Sequence, residues 1–283
     1  DSVKSRGLGD VYKRQELGVG GHTINRLFGP TSNVYDLSKS SGGSSGGASS
    51  AVAAQLIPFA DGTDQMGSCR NPAAYSNIYG FRPTPGVIAC ARSDNQKNIP
   101  ILTTPGFLSR TPDDMTIILD SVTGKNNLDP YSLELKSNFQ NFEIKDSEIK
   151  NIKIGWLSDI NSNYKFENEI LEICEKKLSE LNKQNIKIDF LKSGINTDEL
   201  WDSWLTLRSR SIFMDIGSMS IKDINEMTFQ AIWEYNRGKD VKDNDIDIAL
   251  EKRKKSINDI NQIFKDYDFL ALPSAQVFPF KKE

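Results

Sequence analysis

The chain has 283 residues, 37% of them hydrophobic, which is enough to bury a sizeable core in one large domain or two ordinary ones. Its 35 basic and 38 acidic side chains leave a formal charge of −3, so no general basic excess exists to hold nucleic acid or an anionic membrane, and a small-molecule or peptide-like partner is expected instead. No run approaches about 18 consecutive apolar residues and no apolar signal core opens the chain, which points to the cytoplasm and not to a membrane.

Residues 1–15, DSVKSRGLGDVYKRQ, show neither helical nor strand periodicity and read as a non-native leader, so the informative chain is expected to begin near Glu16. Ser38 to Ser50, SKSSGGSSGGASS, is a Ser/Gly loop that feeds AVAAQLIPFA, a small-residue apolar stretch predicted to form a buried helix ended by Pro58. A second polar loop, GTDQMGSCRNPAAYSNIYG, is expected from Gly62, followed by a turn-rich FRPTPG and a short apolar VIAC. Thr111-Pro112-Asp113-Asp114 predicts a helix start, with a capping hydroxyl, proline at the first helical position and acids in the first turn. The helix MTIILDSVTG should run from there to Gly124.

Residues 125–150 are rich in Asn, Lys and Asp and read as an exposed loop. Ile152 to Leu157 predicts a strand, residues 166–182 an amphipathic helix, and Ile186 to Leu191 a second strand. Residues 197–266 read as mostly helical, with Trp201, Trp204, Phe213, Phe229 and Trp233 expected in core packing. YDFLALPSAQVFPF closes the chain as an apolar strand leading into a loop. Strand, crossover helix and strand in that order predict an α/β fold around a mixed sheet.

The three cysteines, Cys69, Cys90 and Cys174, form no C-x-x-C pair and read as free thiols, with Cys69 in packing. His22 is the only histidine, cannot build a metal site alone, and reads as a hydrogen-bonded structural or rim residue. Gly42-x-Ser44-x-Gly46 satisfies the G-x-S-x-G pattern, but the polar SNVYDLSKS before it and the absence of a downstream histidine exclude a nucleophile elbow. No G-K-[ST] follows the glycines, which argues against phosphate binding.

Gly42-Gly43-Ser44-Ser45-Gly46-Gly47, then Gly62-Thr63-Asp64-Gln65-Met66-Gly67-Ser68-Cys69-Arg70-Asn71-Pro72-Ala73-Ala74, then YGFRPTPG, resemble the two halves and the sequel of the amidase signature. FLSRTPDDMTIILDSVTG and DFLALPSAQVFPF are also similar to that family, and the resemblance is weakest over residues 125–250, which should shape the substrate pocket. The resemblance implies an α/β amidase-signature fold, a mixed β-sheet covered by helices on both faces, formed by residues 16–283 as a single domain truncated at both ends. It implies a serine amidase that hydrolyses a linear carboxylic amide through an acyl-enzyme, without metal or organic cofactor.

By motif position, Ser68 is the expected nucleophile and Ser44 the bridging serine, preceded by a cis peptide bond. Gln65, Met66 and Gly67 are expected to supply backbone donors to an oxyanion hole, although Met66 stands where the family more often has glycine. Ser45, Thr63, Asp64 and Arg70 are expected in support, with Asp64 and Arg70 paired to brace the loop. The family lysine that serves as base lies well upstream of the GGSSGG motif. Lys4 and Lys13 fall in the leader and Lys39 is too close to the loop, so the lysine is expected outside this chain and the fragment is expected to be silent. The amidase subunit of a glutamine-dependent tRNA amidotransferase is the second enzyme reading, and a binding or scaffold protein the non-enzyme one. A homodimer is left open.

Overall fold

The computed structural model describes residues 18–283, apart from 26–27, 91–98, 136–137, 144, 150, 161–162, 183–185 and 218. The expected leader, with Lys4 and Lys13, therefore lies outside the described residues. Two compact units emerge: one holds the described residues up to Phe142 with Ser211–Lys239 and Pro279–Glu283, the other Glu143–Arg210 with Asp240–Phe278.

In the first unit, β1 (Ile24–Asn25) pairs antiparallel with β2 (Gly29–Pro30). Helix α1 (Gly46–Ala53) begins inside the Ser/Gly run and stops well before Pro58. The cause is local. Gln55 takes φ of +61°, its N–H donates to Val52 O at 3.0 Å, and Leu56 N–H donates to Ala51 O at 2.9 Å, which is the bond pattern of a left-handed helix stop. The chain then turns into strand β3 (Phe59–Asp64), where the sequence predicts a polar loop from Gly62 onward. Alternation explains the strand: Ala60, Gly62 and Asp64 face inward while Phe59 and Asp61 face solvent.

Helix α2 (Arg70–Tyr75) also lies in that expected loop, and strand β4 (Tyr79–Phe81) spans its end. Strand β5 (Thr104–Ser109) sits between β3 and β4 and pairs antiparallel with both. Ala48, Val52, Ala60, Cys69, Ala73 and Leu108 form the core here, and their mostly small side chains let α1 and α2 approach the sheet closely. Cys69 is fully buried, as its packing assignment required. Helix α3 (Pro112–Val122) starts as expected, with Thr111 Oγ1 accepting the Asp114 N–H at 3.1 Å. It buries Met115, Ile118 and Leu119, one stripe of the helix, and its last residue falls just short of Gly124. A separate cluster of Val19, Ile212, Ile216, Ile224, Met227 and Ala231 packs α7 (Ile221–Asn225) and α8 (Phe229–Lys239) against the end of α6 (Thr197–Ile216).

Residues 125–150 are largely irregular, with a 3₁₀ turn at Phe139–Asn141 and the short α4 (Asp146–Ile149). The second unit carries the expected β-α-β element: β6 (Lys153–Trp156), α5 (Ile170–Asn182) and β7 (Lys187–Phe190), with β6 and β7 parallel. Strand β8 (Phe269–Ala271) pairs parallel on the other side of β6 after the long helix α9 (Asp243–Ile263). Trp156, on the central strand, is almost fully buried and donates its Nε1–H to Glu175 Oε1 at 3.2 Å.

The fold is thus α/β, with antiparallel pairing in the first unit and parallel pairing in the second. The expected core aromatics differ from the sequence reading: Phe229 is 83% exposed, Trp233 44% and Trp201 42%. Trp201 packs on Trp204, and Trp233 lies under the Arg237 guanidinium at 4.9 Å, so ring and cation contacts hold these side chains at the surface. Among the described residues no helix is long and apolar enough to cross a membrane.

Candidate active site

Two loops of the first unit meet at the inner ends of α1 and β3. The first, Gly42–Ser45, leads into α1. The second, Gln65–Ser68, leaves the end of β3 and enters α2. They are joined directly by the Ser45 N–H, which donates to Ser68 O at 3.1 Å. Ser44 is buried, Ser68 is half-buried, and the Gly43–Ser44 peptide bond is cis, as the motif resemblance implied.

The second loop is organised around Asp64. Strand alternation turns this carboxylate inward, where it is fully buried. Oδ1 accepts the Gly67 N–H at 2.7 Å and Oδ2 accepts the Cys69 N–H at 3.1 Å. Arg70 closes on it as a fork, Nε to Oδ2 at 3.0 Å and Nη2 to Oδ1 at 2.8 Å. A second guanidinium, Arg82, stands with Nε 3.8 Å from Oδ1 and donates to Thr104 Oγ1 and Leu102 O.

Burial alone pushes the Asp64 carboxyl up. The Arg70 fork and charge and the two backbone donors outweigh it and hold the pKa below the ordinary aspartate value. Arg70 is raised in turn, chiefly by its bonds to Asp64. The expected Asp64–Arg70 pair is therefore present, and Asp64 also fixes the backbone immediately before and after Ser68.

The other expected residues take unequal positions. Gly67 has φ of +106°, and a Cβ there would lie 2.6 Å from Asn71 Oδ1, so only glycine fits the turn before Ser68. Its N–H serves Asp64, the loop's own carboxylate. Met66 projects outward and is half exposed, while Gln65 is partly buried. Ser45 contributes its backbone N–H, whereas its buried hydroxyl has no hydrogen-bond partner among the described residues. Thr63 lies on β3 opposite Pro105.

His22 is hydrogen-bonded as expected, with Nδ1 2.7 Å from Ser40 Oγ and its ring edge-on to Phe280 at 5.5 Å. Burial lowers its pKa, partly offset by the Lys282 backbone. Two groups escaped the sequence reading, Arg82 and Thr23. Arg82 sits within the quoted YGFRPTPG string, but its approach to Asp64 follows from the pairing of β4 with β5 and has no spacing signature. Thr23 belongs to no motif and reaches the Ser44 loop only through the tertiary fold.

The acylamidase of Rhodococcus erythropolis is 29% identical over 304 residues, covering 98% of this chain and 58% of that protein. A glutamyl-tRNA(Gln) amidotransferase subunit of Saccharolobus solfataricus is 34% identical over 168 residues, covering 58% of this chain and 31% of that protein. The chain thus spans about a third to three-fifths of the length of these curated relatives. Among solved structures, a bacterial aryl acylamidase of the amidase-signature enzymes superposes with a TM-score of 0.84 at 23% identity, covering 95% of this chain and 56% of that one, which is a likeness of fold. The Amidase family model matches residues 13–283, and with the paired serine loops and α/β fold already in place, the chain belongs to the amidase-signature hydrolase family.

Proposed function

We propose that the full-length protein hydrolyses a linear carboxylic amide to a carboxylate and an amine or ammonia through an acyl-enzyme on Ser68. The observation that carries this reading is the direct bond between the two serine loops, Ser45 N–H to Ser68 O, which holds the Ser44 and Ser68 segments side by side in one unit. Ser68 Oγ attacks the carbonyl carbon and passes its proton to Ser44, whose own proton goes to a lysine base. The same relay run backwards protonates the leaving amine, and water then releases the acyl group from Ser68. The backbone N–H groups of Gln65 and Met66 receive the oxyanion, while the Gly67 N–H stays on Asp64 and the Asp64–Arg70 fork keeps that loop in shape.

None of the lysines among the described residues is assigned this role. The proposed reaction uses neither metal nor organic cofactor. The cytoplasm is the assigned compartment.

The test is labelling by a fluorophosphonate serine probe in the full-length protein. Ser68→Ala should abolish both labelling and amide turnover, and acylation persisting at another residue would sink the assignment. Ser44→Ala should slow labelling severely, and a wild-type rate would refute its bridging role. The amidotransferase reading draws on the Saccharolobus relative's name and 34% identity. Glutaminase activity that requires charged tRNA and partner subunits would favour it. The acylamidase is 29% identical over 98% of this chain, against 24% over 99% for an amidotransferase subunit of Sulfolobus acidocaldarius, and that margin supports the simple hydrolase.

A further inference from the structure

Thr23 is fully buried beside the Ser44 loop. Its N–H donates to Gly42 O at 3.1 Å, and its hydroxyl donates to the same carbonyl at 2.8 Å. The hydroxyl oxygen also lies 3.2 Å from Ser44 O and accepts the N–H of Gly46, the first residue of α1, at 3.0 Å. A hydroxyl has one proton, so the shorter contact, to Gly42 O, takes the larger share and Ser44 O the smaller one. One side chain therefore touches backbone groups before, at and after Ser44. It also supplies what the helix's own N-cap does not, because the Ser45 side chain makes no capping bond.

The approach is backbone on backbone at Gly43 and side chain on backbone at Gly46. A Cβ added at Gly43 would fall 2.8 Å from His22 N, and one at Gly46 would fall 2.5 Å from Thr23 Oγ1 and 2.4 Å from Ser41 Oγ. No side chain at either glycine separates the segment Gly20–Thr23 from the loop that carries Ser44. Gly18 continues the contact, since a Cβ there would lie 3.8 Å from Ser44 Oγ.

We infer that Thr23 is a positioning residue for Ser44, its hydroxyl setting the backbone from Gly42 to Gly46 and with it the direction of Ser44 Oγ. The inference rests on Ser44 being the proton-bridging serine proposed above. Valine at this position keeps the shape of threonine but leaves the buried Gly46 N–H without its acceptor, Ser44 O without the hydroxyl, and Gly42 O with the backbone N–H of residue 23 alone. The loop must then shift to find other partners, and a displacement of about 1 Å at a proton-relay group costs about 100-fold in rate.

In the full-length protein, Thr23→Val is expected to lower the maximal rate of Ser68 labelling by a fluorophosphonate about 30-fold to 100-fold, with about a threefold change at most in the concentration giving half that rate. Thr23→Ser, which keeps the hydroxyl, is expected to stay within about threefold of wild type on both measures. A purely structural role would lower the unfolding temperature of both variants and leave the labelling rate of the folded fraction unchanged. A folded Thr23→Val protein labelling at the wild-type rate overturns the inference, as does Thr23→Ser being as slow as Thr23→Val. If Thr23→Val does not fold, Thr23→Ala is read by the same criteria, and the Thr23→Ser criterion stands alone if neither folds. Slow labelling in Ser44→Ala with fast labelling in Thr23→Val would reject this inference alone. Wild-type labelling in Ser44→Ala would remove its premise together with the bridging role.

Discussion

Asp64 shows how one residue binds a strand, a turn and a helix start together. Its carboxylate holds the N–H groups of Gly67 and Cys69 and the Arg70 fork, all from a fully buried position. Replacing it with asparagine removes the charge and half of the acceptor capacity while leaving those donors in place. Asp64→Asn is therefore expected to cost about 2–3 kcal/mol at neutral pH, measured by urea unfolding; Arg70 is partly solvated, which keeps the loss below that of a fully buried pair. The sign of the pH dependence follows from the depressed pKa. Stability from Asp64 is present above the ordinary aspartate value of 3.8 and is lost as pH falls through the lower folded value. Wild-type stability should thus fall more steeply than that of Asp64→Asn below about pH 4. Gly67→Ala should cost about 1–3 kcal/mol and slow Ser68 labelling, because its φ of +106° excludes a Cβ.

At the level of elements, chemistry local to the sequence is legible where a single interaction decides the outcome. Thr111 and Pro112 start α3 as their side chains require, and Thr111→Ala should lower stability by about 1 kcal/mol in thermal unfolding with no effect on labelling. The β6-α5-β7 unit is likewise legible from alternation and amphipathic spacing. Strand β3 is not. Gly62 and Asp64 are poor strand formers on either side of Thr63, and what makes the three a strand is pairing with Thr104–Gly106 of β5, distant in sequence. The stop of α1 at Ala53 is hidden for a related reason, since a glutamine, not a glycine, adopts the left-handed turn.

Across the whole molecule, the first unit holds two sheets and the second one, and each unit has its own buried residues. Trp156 anchors the second, between β7 and β8 on the central strand. Trp156→Ala should cost about 3–5 kcal/mol. In hydrogen exchange the loss of protection should concentrate in β6, β7, β8 and α5, with β3 and β5 least affected, because cooperative opening follows units that share a core. Equal loss in both sheets would show that the two units unfold together. The exposed Phe229, Trp233 and Trp201 mark where an apolar side chain in a helix is a poor guide to burial: helical spacing sets the face, and only packing decides what that face meets.

The sequence alone carried the family resemblance, the two serine loops and the pairing of Asp64 with Arg70, because these depend on residue identity at short spacing. Tertiary structure decided that β3 is a strand, that the Ser45 N–H ties the two loops, and that Thr23 grips the backbone around Ser44. Each of those rests on hydrogen bonds between segments about 20 to 50 residues apart, and such partners are chosen by how the chain packs and leave no periodic trace in the sequence.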